Sequence, residues 1–371
     1  MTQPANPADI PKTMAAMVLT GVGDFDKYEW RTDFPTPSPA PGQVLIRVAA
    51  CGLNNTDVNT RSGWYSKSVT EATSGGPYDA DAAGDGTWGG GGLRFPHIQG
   101  ADVCGHIVGV GDGVDAGRIG HRVITDNWLR DWDAPLRREG VLYFGSEVHG
   151  GFAQYAVIDS RNALAVNSAL SDAELATFSC SYSTAEGMLD RVWAGPGDRV
   201  LITGASGGVG SALIQLANRR GCETIAMASS EKHDAVEALG PTALLPRAPQ
   251  DLPAALRKAT GHEQVTVVAD IVGGAYFGTL IDALARGGRY VASGAIAGPL
   301  VSLDLRTFYL NDLTFHGSTV IEPHVTENLV RYIEAGEVRP ALAATYPLSE
   351  LVAAQKAFIA KAHTGNIVVL P

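Results

Sequence analysis

The stretch Val200-Leu-Ile-Thr-Gly-Ala-Ser-Gly-Gly-Val-Gly-Ser211 carries the clearest chemistry in this 371-residue chain. A short β-rich run, Arg199 to Thr203, enters a turn containing Gly204, Gly207, Gly208 and Gly210. Helical periodicity follows from Ser211 to Arg219. Glycines permit the sharp turn and let backbone N–H groups approach a pyrophosphate on the positive end of the next helix. Ala205 stands where the dinucleotide fingerprint has its first glycine. The candidate pyrophosphate-binding residues are Ala205, Ser206, Gly207, Gly208, Val209 and Gly210. The next strand ends in Ala228-Ser229-Ser230-Glu231-Lys232, without an acid at its tip to hold free ribose hydroxyls. Ser229, Lys232 and, after the third strand, Arg247 suit a 2′-phosphate, which points to NADPH. The alternative reading of Lys232 is a solvated helix residue.

Further candidates surround this turn. Ser293-Gly294-Ala295 and Gly317-Ser318 end two later strands and should flank the nicotinamide, because ligands bind at the carboxyl ends of parallel strands. Trp64, Tyr65 and Trp128 could line or cover an apolar substrate pocket, although core packing is the commoner fate of an aromatic ring. Asp57 and Arg61 are spaced for a plain i,i+4 ion pair. Tyr182 could donate to a developing enolate or act as an aromatic wall. Asn54 could contact the nicotinamide ribose or a substrate oxygen, or cap the turn before Asp57.

The elements that position these residues fall into two textures. After a Pro-rich arm (residues 1–13), β patterns run over Ala15–Leu19, Gln43–Ala50, Ala101–Val110, Gly120–Ile124 and Gly151–Ile158. A short helix spans Asp57–Ser62. Residues 66–94 hold eight glycines and few aliphatics, so they read as a surface insertion, functional or a plain spacer. Residues 126–150 form a second irregular region, rich in aromatics. From about Asn167, strand and helix alternate after a capping box at Ser171–Glu174. Six apolar strands, from Arg199 to Gly317, imply a parallel sheet covered on both faces. The tail has two helices and a final strand, Asn366–Leu370.

Composition bounds the function. Hydrophobic residues are 45% and charged residues 18%, as in a globular chain. The net charge of −11 argues against nucleic-acid or anionic-membrane partners, since there is no basic excess to release counterions. No apolar run reaches membrane-spanning length, and the N-terminus shows no secretory pattern, so a cytoplasmic protein acting on a small molecule is expected. The four scattered cysteines read as reduced thiols.

From about Met14 to Pro371 the chain resembles the medium-chain dehydrogenase/reductase superfamily. The markers are Gly52-Leu-Asn-Asn-Thr-Asp57, Gly100-Ala-Asp102, Gly105-His-Ile-Val-Gly-Val-Gly111, Gly120-His-Arg-Val123, Gly150-Gly-Phe-Ala-Gln-Tyr-Ala156, Tyr182-Ser-Thr184, the glycine turn and Gly365-Asn-Ile-Val368. The resemblance implies a GroES-like, mainly β catalytic domain (1–166 and 323–371) around a Rossmann domain with a doubly wound parallel sheet (167–322). It implies that Thr184 orients the nicotinamide, and it makes a homodimer the expectation. Zinc-dependent members place a cysteine where Asn54 stands, a histidine where Ala101 stands, and a cysteine or aspartate where Cys180 stands. Two of those three ligands are missing here, and alanine offers no donor, so no metal is expected. His97, His106, His121 and His149 lack ligand spacing. The pattern is similar to the zinc-free branch, the NADPH quinone oxidoreductases and enoyl reductases. It departs from quinone reductases at Asn59, where tyrosine is common, and at both long insertions. A zinc-requiring alcohol dehydrogenase with an altered site, and a cofactor-binding protein with little catalysis, are the competing readings.

Overall fold

The computed structural model describes residues 10–74, 76, 84–87 and 92–371. Much of the expected arm and part of the expected 66–94 insertion lie outside the described residues. The apolar runs do form a parallel sheet. Its order is Ala243–Pro246, Glu223–Ala228, Arg199–Ile202, Val265–Asp270, Leu284–Ala292, Thr314–Gly317. All five neighbouring pairs are parallel. Sequence order reverses between Arg199–Ile202 and Val265–Asp270, the switch point at which such sheets bind ligands.

The side chains of each strand alternate between two apolar layers. Val200, Ile202, Ala226, Val267 and Ala269 pack with helices Ser181–Arg191 and Gly208–Arg219. Leu201, Ile225, Met227 and Val268 pack with Leu252, Leu256, Phe277 and Leu280 on the other face. Helix Pro323–Glu334 brings Leu329 and Ile333 into the first layer.

The second sheet is mixed. Its order is Leu342–Pro347, Asn366–Leu370, Gln43–Gly52, Asp102–Val110, Arg122–Thr125, Ala163–Ala165, with Tyr155–Asp159 also pairing with Gln43–Gly52. The tail strand Asn366–Leu370 is therefore interior. Several strands escape the sequence reading, among them the short Trp128–Leu129, Leu142–Tyr143 and Ala163–Ala165. Tyr28–Pro35 pairs with Thr13–Leu19, but its mostly exposed side chains leave no apolar alternation. Leu342–Pro347 is an edge strand of small, partly exposed residues. The helix expected after Ser230 shrinks to a 3-10 turn, Ser230–Lys232, and five helical residues, His233–Glu237. Among the described residues, no helix is long and apolar enough to cross a membrane.

Candidate active site

Asn54 starts the site. It precedes helix Asn55–Ser62, which ends at Gly63 with φ 79°. Its backbone N–H donates to Asp57 Oδ2 at 2.8 Å, closing the first turn, while its own amide does not cap. Nδ2 of Asn54 is buried with no hydrogen-bond partner. The Asp57 carboxylate also accepts the Gly100 N–H at 3.3 Å. The expected Asp57–Arg61 pair does not organise this helix. Arg61 is fully buried, sends Nη1 to Gly23 O at 2.7 Å and Nε to Gln355 at 3.2 Å, and stacks over Phe25.

Four residues from four segments meet beside Asn54. Asp102 is fully buried and accepts from Asn127 Nδ2 at 3.1 Å through Oδ1. The same Nδ2 lies 3.3 Å from the Tyr143 hydroxyl. Cys180 precedes helix Ser181–Arg191, and its sulfur is hydrogen-bonded by the Tyr143 and Thr184 side chains. Its backbone N–H supports Asp102, and the Asn54 amide lies near the same carboxyl. Burial pushes the Asp57 and Asp102 carboxyls up to about 7 each. Both hold a proton in the folded protein where the unfolded chain has lost it, from about pH 4 upward. The stability they contribute is present below that pH and is lost as pH rises through 7. Asp102→Asn should flatten this fall between pH 4 and 7 by up to about 1.4 kcal/mol per pH unit. Urea unfolding at a series of pH values measures it, and an unchanged slope would count against the assignment.

The glycine turn meets the first residue of helix Ser181–Arg191, next to Cys180. Gly204 has φ +59°. A Cβ on Gly208 would lie 2.5 Å from Ser181 Oγ and 2.7 Å from Asn366 Nδ2. A Cβ on Gly210 would lie 2.2 Å from Gly204 O. Gly207, which caps helix Gly208–Arg219, differs: its missing side chain would meet only Gly204 O, at 3.6 Å. The fold leaves the space over Gly207 open, as close approach of a pyrophosphate requires. Ala205 is fully buried, and Val209 packs against the sheet core. The Ser206 carbonyl accepts the Gly365 N–H at 2.9 Å, and Asn366 Nδ2 donates to Ser181 Oγ at 2.9 Å. The tail thus braces the turn, which sequence reasoning missed.

Lys232 and Arg247 are close enough for Arg247 to help lower the lysine pKa, after burial as the larger cause. The Lys232 ammonium donates to the carbonyls of Lys361 at 2.5 Å and His363 at 2.7 Å. That corrects the picture of a solvated lysine: two of its three N–H bonds are spent fixing the tail, and one remains. Ser229 caps the adjoining 3-10 turn. Ser293, Gly294 and Ala295 follow strand Leu284–Ala292, and Ala292 pairs with Gly317. The Ser318 N–H donates to Ala292 O at 2.9 Å, while its hydroxyl is buried without a partner. These segments gather at one strand end.

Two expected site residues are buried. Tyr182 is fully buried, and its hydroxyl donates to Arg339 O at 2.6 Å and accepts from Gln215 Nε2 at 2.9 Å. Its one proton is committed, so it has none for an enolate. Trp128 is 5% exposed and packs edge-on against Tyr143 at 4.7 Å. Trp64 and Tyr65 remain half-buried and touch edge to face. The Trp64 indole donates to Glu71 O at 3.0 Å, and the Thr73 N–H donates to Ile296 O at 2.9 Å, so this segment reaches the sheet end. Tyr143 and Asn127 were not singled out from sequence, and Asp102 served only as a motif residue.

Comparison with known proteins agrees with this architecture. Residues 40–168 match the alcohol dehydrogenase GroES-like domain, and residues 208–335 match the zinc-binding dehydrogenase family. A solved putative alcohol dehydrogenase from Sinorhizobium meliloti is 45% identical, with a TM-score of 0.90 over 98% of each chain. The quinone oxidoreductase of Lama guanicoe is 26% identical over 97% of this chain and 98% of its own. A 2-octenoyl-CoA carboxylase reductase, solved with NADP and 2-octenoyl-CoA, is 27% identical, with a TM-score of 0.83 over 99% of this chain and 91% of its own. With both family domains in order and a 45% identical relative along its length, the chain belongs to the medium-chain dehydrogenase/reductase superfamily of oxidoreductases.

Proposed function

We propose that the protein is a zinc-independent, NADPH-dependent reductase of quinones or of the C=C bond of α,β-unsaturated carbonyl compounds. The observation that carries this reading is the composition of the site around Cys180. Its neighbours are the amides of Asn54 and Asn127, the carboxyl of Asp102 and the hydroxyl of Tyr143, with Ala101 beside them. Amides and an alanine are poor replacements for thiolate and imidazole ligands. Among the described residues, no group of three His, Cys, Asp or Glu side chains is placed to hold a metal. The set suits hydrogen bonding to an oxygen that gains charge.

The residues present fit the cofactor. Open space over Gly207, the tight Gly210 and the Lys232–Arg247 pair would hold the pyrophosphate and the 2′-phosphate. Bound there, NADPH supplies a hydride. The unpartnered Asn54 Nδ2 is the donor available to a substrate or ribose oxygen. In this reading Thr184 and the Ser293–Ala295 segment flank the nicotinamide. The related 2-octenoyl-CoA enzyme, solved with NADP, and the quinone oxidoreductase support both halves of the reading.

Titration with NADPH and NADH, followed by a panel of enones, quinones and alcohols, tests it. Tighter NADPH binding and enone or quinone turnover without bound zinc are expected. Lys232→Ala should weaken NADPH by about 10- to 100-fold, the worth of a charge-assisted hydrogen bond, and weaken NADH far less. Equal affinity of the unaltered protein for both cofactors would remove the NADPH assignment. The 45% identical putative alcohol dehydrogenase favours a second reading, an alcohol dehydrogenase or carbonyl reductase. Stoichiometric zinc with alcohol turnover would establish that reading instead.

A further inference from the structure

The segment that follows helix Asn55–Ser62 opens the insertion, and its described residues are tied down at both ends. We propose that residues 64–73 form a strap over the substrate end of the site, and that the Thr73–Ile296 hydrogen bond sets how large a group the enzyme accepts on the β-carbon. The proposal rests on the reductase reading above, which puts the nicotinamide beside residues 293–295.

Three observations carry it. First, the segment runs from the helix that Asn54 caps to the end of the parallel sheet. Its Thr73 N–H donates to Ile296 O at 2.9 Å. Ile296 directly follows Ser293-Gly294-Ala295, past the carboxyl end of strand Leu284–Ala292, where ligands of such sheets bind. Second, the near end is built. The Trp64 N–H donates to Asn59 O at 2.8 Å, the Ser66 N–H to Gly63 O at 3.2 Å and the Val69 N–H to Ser66 O at 3.0 Å. The Trp64 indole clips the segment by donating to Glu71 O at 3.0 Å. Ser66 and Val69 are buried, whereas Lys67, Ser68, Thr70, Glu71 and Ala72 are exposed. Third, the far anchorage is rigid. The Ala297 N–H donates to Val272 O at 2.8 Å, and the Gly274 N–H to Gly298 O at 3.1 Å. A Cβ on Gly274 would lie 2.7 Å from Ala297 O, so the two loops are in close contact. The loop that receives Thr73 is held from behind and does not follow the strap outward. The Thr73 bond is therefore where the strap parts.

A backbone hydrogen bond at a partly exposed position contributes little net stability, because water replaces it when it breaks. The strap accordingly opens and recloses. A substrate with a small β-substituent fits with the Thr73 bond made. A ring at that position displaces residues 70–73 and forfeits the bond, a penalty of about 2- to 10-fold, the factor that one net hydrogen bond is worth. Trp64 and Tyr65, both half-buried and in edge-to-face contact, are the apolar surfaces at the strap's base. Thr73 and Trp64 act on specificity and take no part in the chemical step.

The test uses the full chain with NADPH and two methyl-ketone enones, one with a methyl and one with a phenyl group on the β-carbon. The wild type should favour the methyl compound in kcat/KM. Thr73→Pro removes the N–H and should shift that ratio toward the phenyl compound by about 2- to 10-fold, with NADPH affinity unchanged. Trp64→Phe keeps a ring but loses the clip. It should shift the ratio the same way, and it decides the matter if Thr73→Pro does not fold. A second readout needs neither substrate nor cofactor. Trypsin under native conditions cuts after the exposed Lys67 when the strap opens, and both variants should speed that cut by a similar factor. An unchanged ratio in a folded Thr73→Pro protein would overturn the size limit. Unchanged cutting in both variants would overturn the strap. A wild type that binds NADPH but reduces neither enone would sink the reductase reading and the size limit with it, while the cutting rates still decide the strap.

Discussion

Gly210→Val should abolish dinucleotide binding and destabilise the protein, whereas Gly207→Ala should impair binding alone. At Gly210 a Cβ would lie 2.2 Å from Gly204 O, 2.6 Å from Ala205 Cα and 2.8 Å from the Gly204 carbonyl carbon. All are backbone atoms, which cannot swing aside like a side chain. The turn would have to open, and overpacking of this kind costs about 1–3 kcal/mol or more. Gly207 has φ −82° and ψ 174°, which alanine adopts freely, and its nearest protein contact is 3.6 Å away. A methyl there troubles only a ligand over the turn. NADPH fluorescence titration with thermal melts separates the two variants. A Gly207→Ala protein that binds NADPH like the wild type would move the pyrophosphate off this turn.

Asp126→Ala is the second large effect, and it acts on stability. Asp126 and Arg130 pair at 3.0 Å with side chains 3% and 1% exposed. Arg130 also donates to Ile321 O at 2.8 Å, so the pair ties the 126–150 region to the segment after strand Thr314–Gly317. Removing the carboxylate leaves a buried guanidinium without its counter-charge, which costs about 3–5 kcal/mol. The joint change Asp126→Leu with Arg130→Met should be far milder, since no charge is then stranded. Chemical denaturation of the three proteins measures the difference. A double variant as unstable as the single one would show that the loop depends on the charges themselves. The damage should spread to the site, because the pair adjoins Trp128, which supports Tyr143.

The parts legible in sequence were those written locally. Val200-Leu-Ile and the β-branched Val265-Thr-Val-Val268 are short strand-like runs, and both lie in central strands of the parallel sheet. Helix Gly208–Arg219 announced its C-terminal end, with periodicity legible from Ser211. The cluster around Cys180 was illegible because its members come from positions 54, 102, 127, 143 and 180, which only the folded sheet brings together. Tyr182 looked like a donor because nothing near it in the chain reveals the Arg339 carbonyl 157 residues away. The lysine at the second strand tip was recognised, but not its two tail carbonyls, 129 and 131 residues distant. Strand Tyr28–Pro35 pairs through backbone and buries little, so hydrophobic patterning had nothing to report.

The interior place of Asn366–Leu370 has a consequence for biosynthesis. This strand lies between Leu342–Pro347 and Gln43–Gly52, and its first residue bonds to Ser181 beside the glycine turn. A ribosome that has released residues 43–166 has made most of one sheet but not the strand that joins its two parts. The parallel sheet, by contrast, is all in hand by residue 317. The nascent chain should therefore fold its middle first and hold its beginning open, as an apolar edge needing protection, until residues 366–370 emerge.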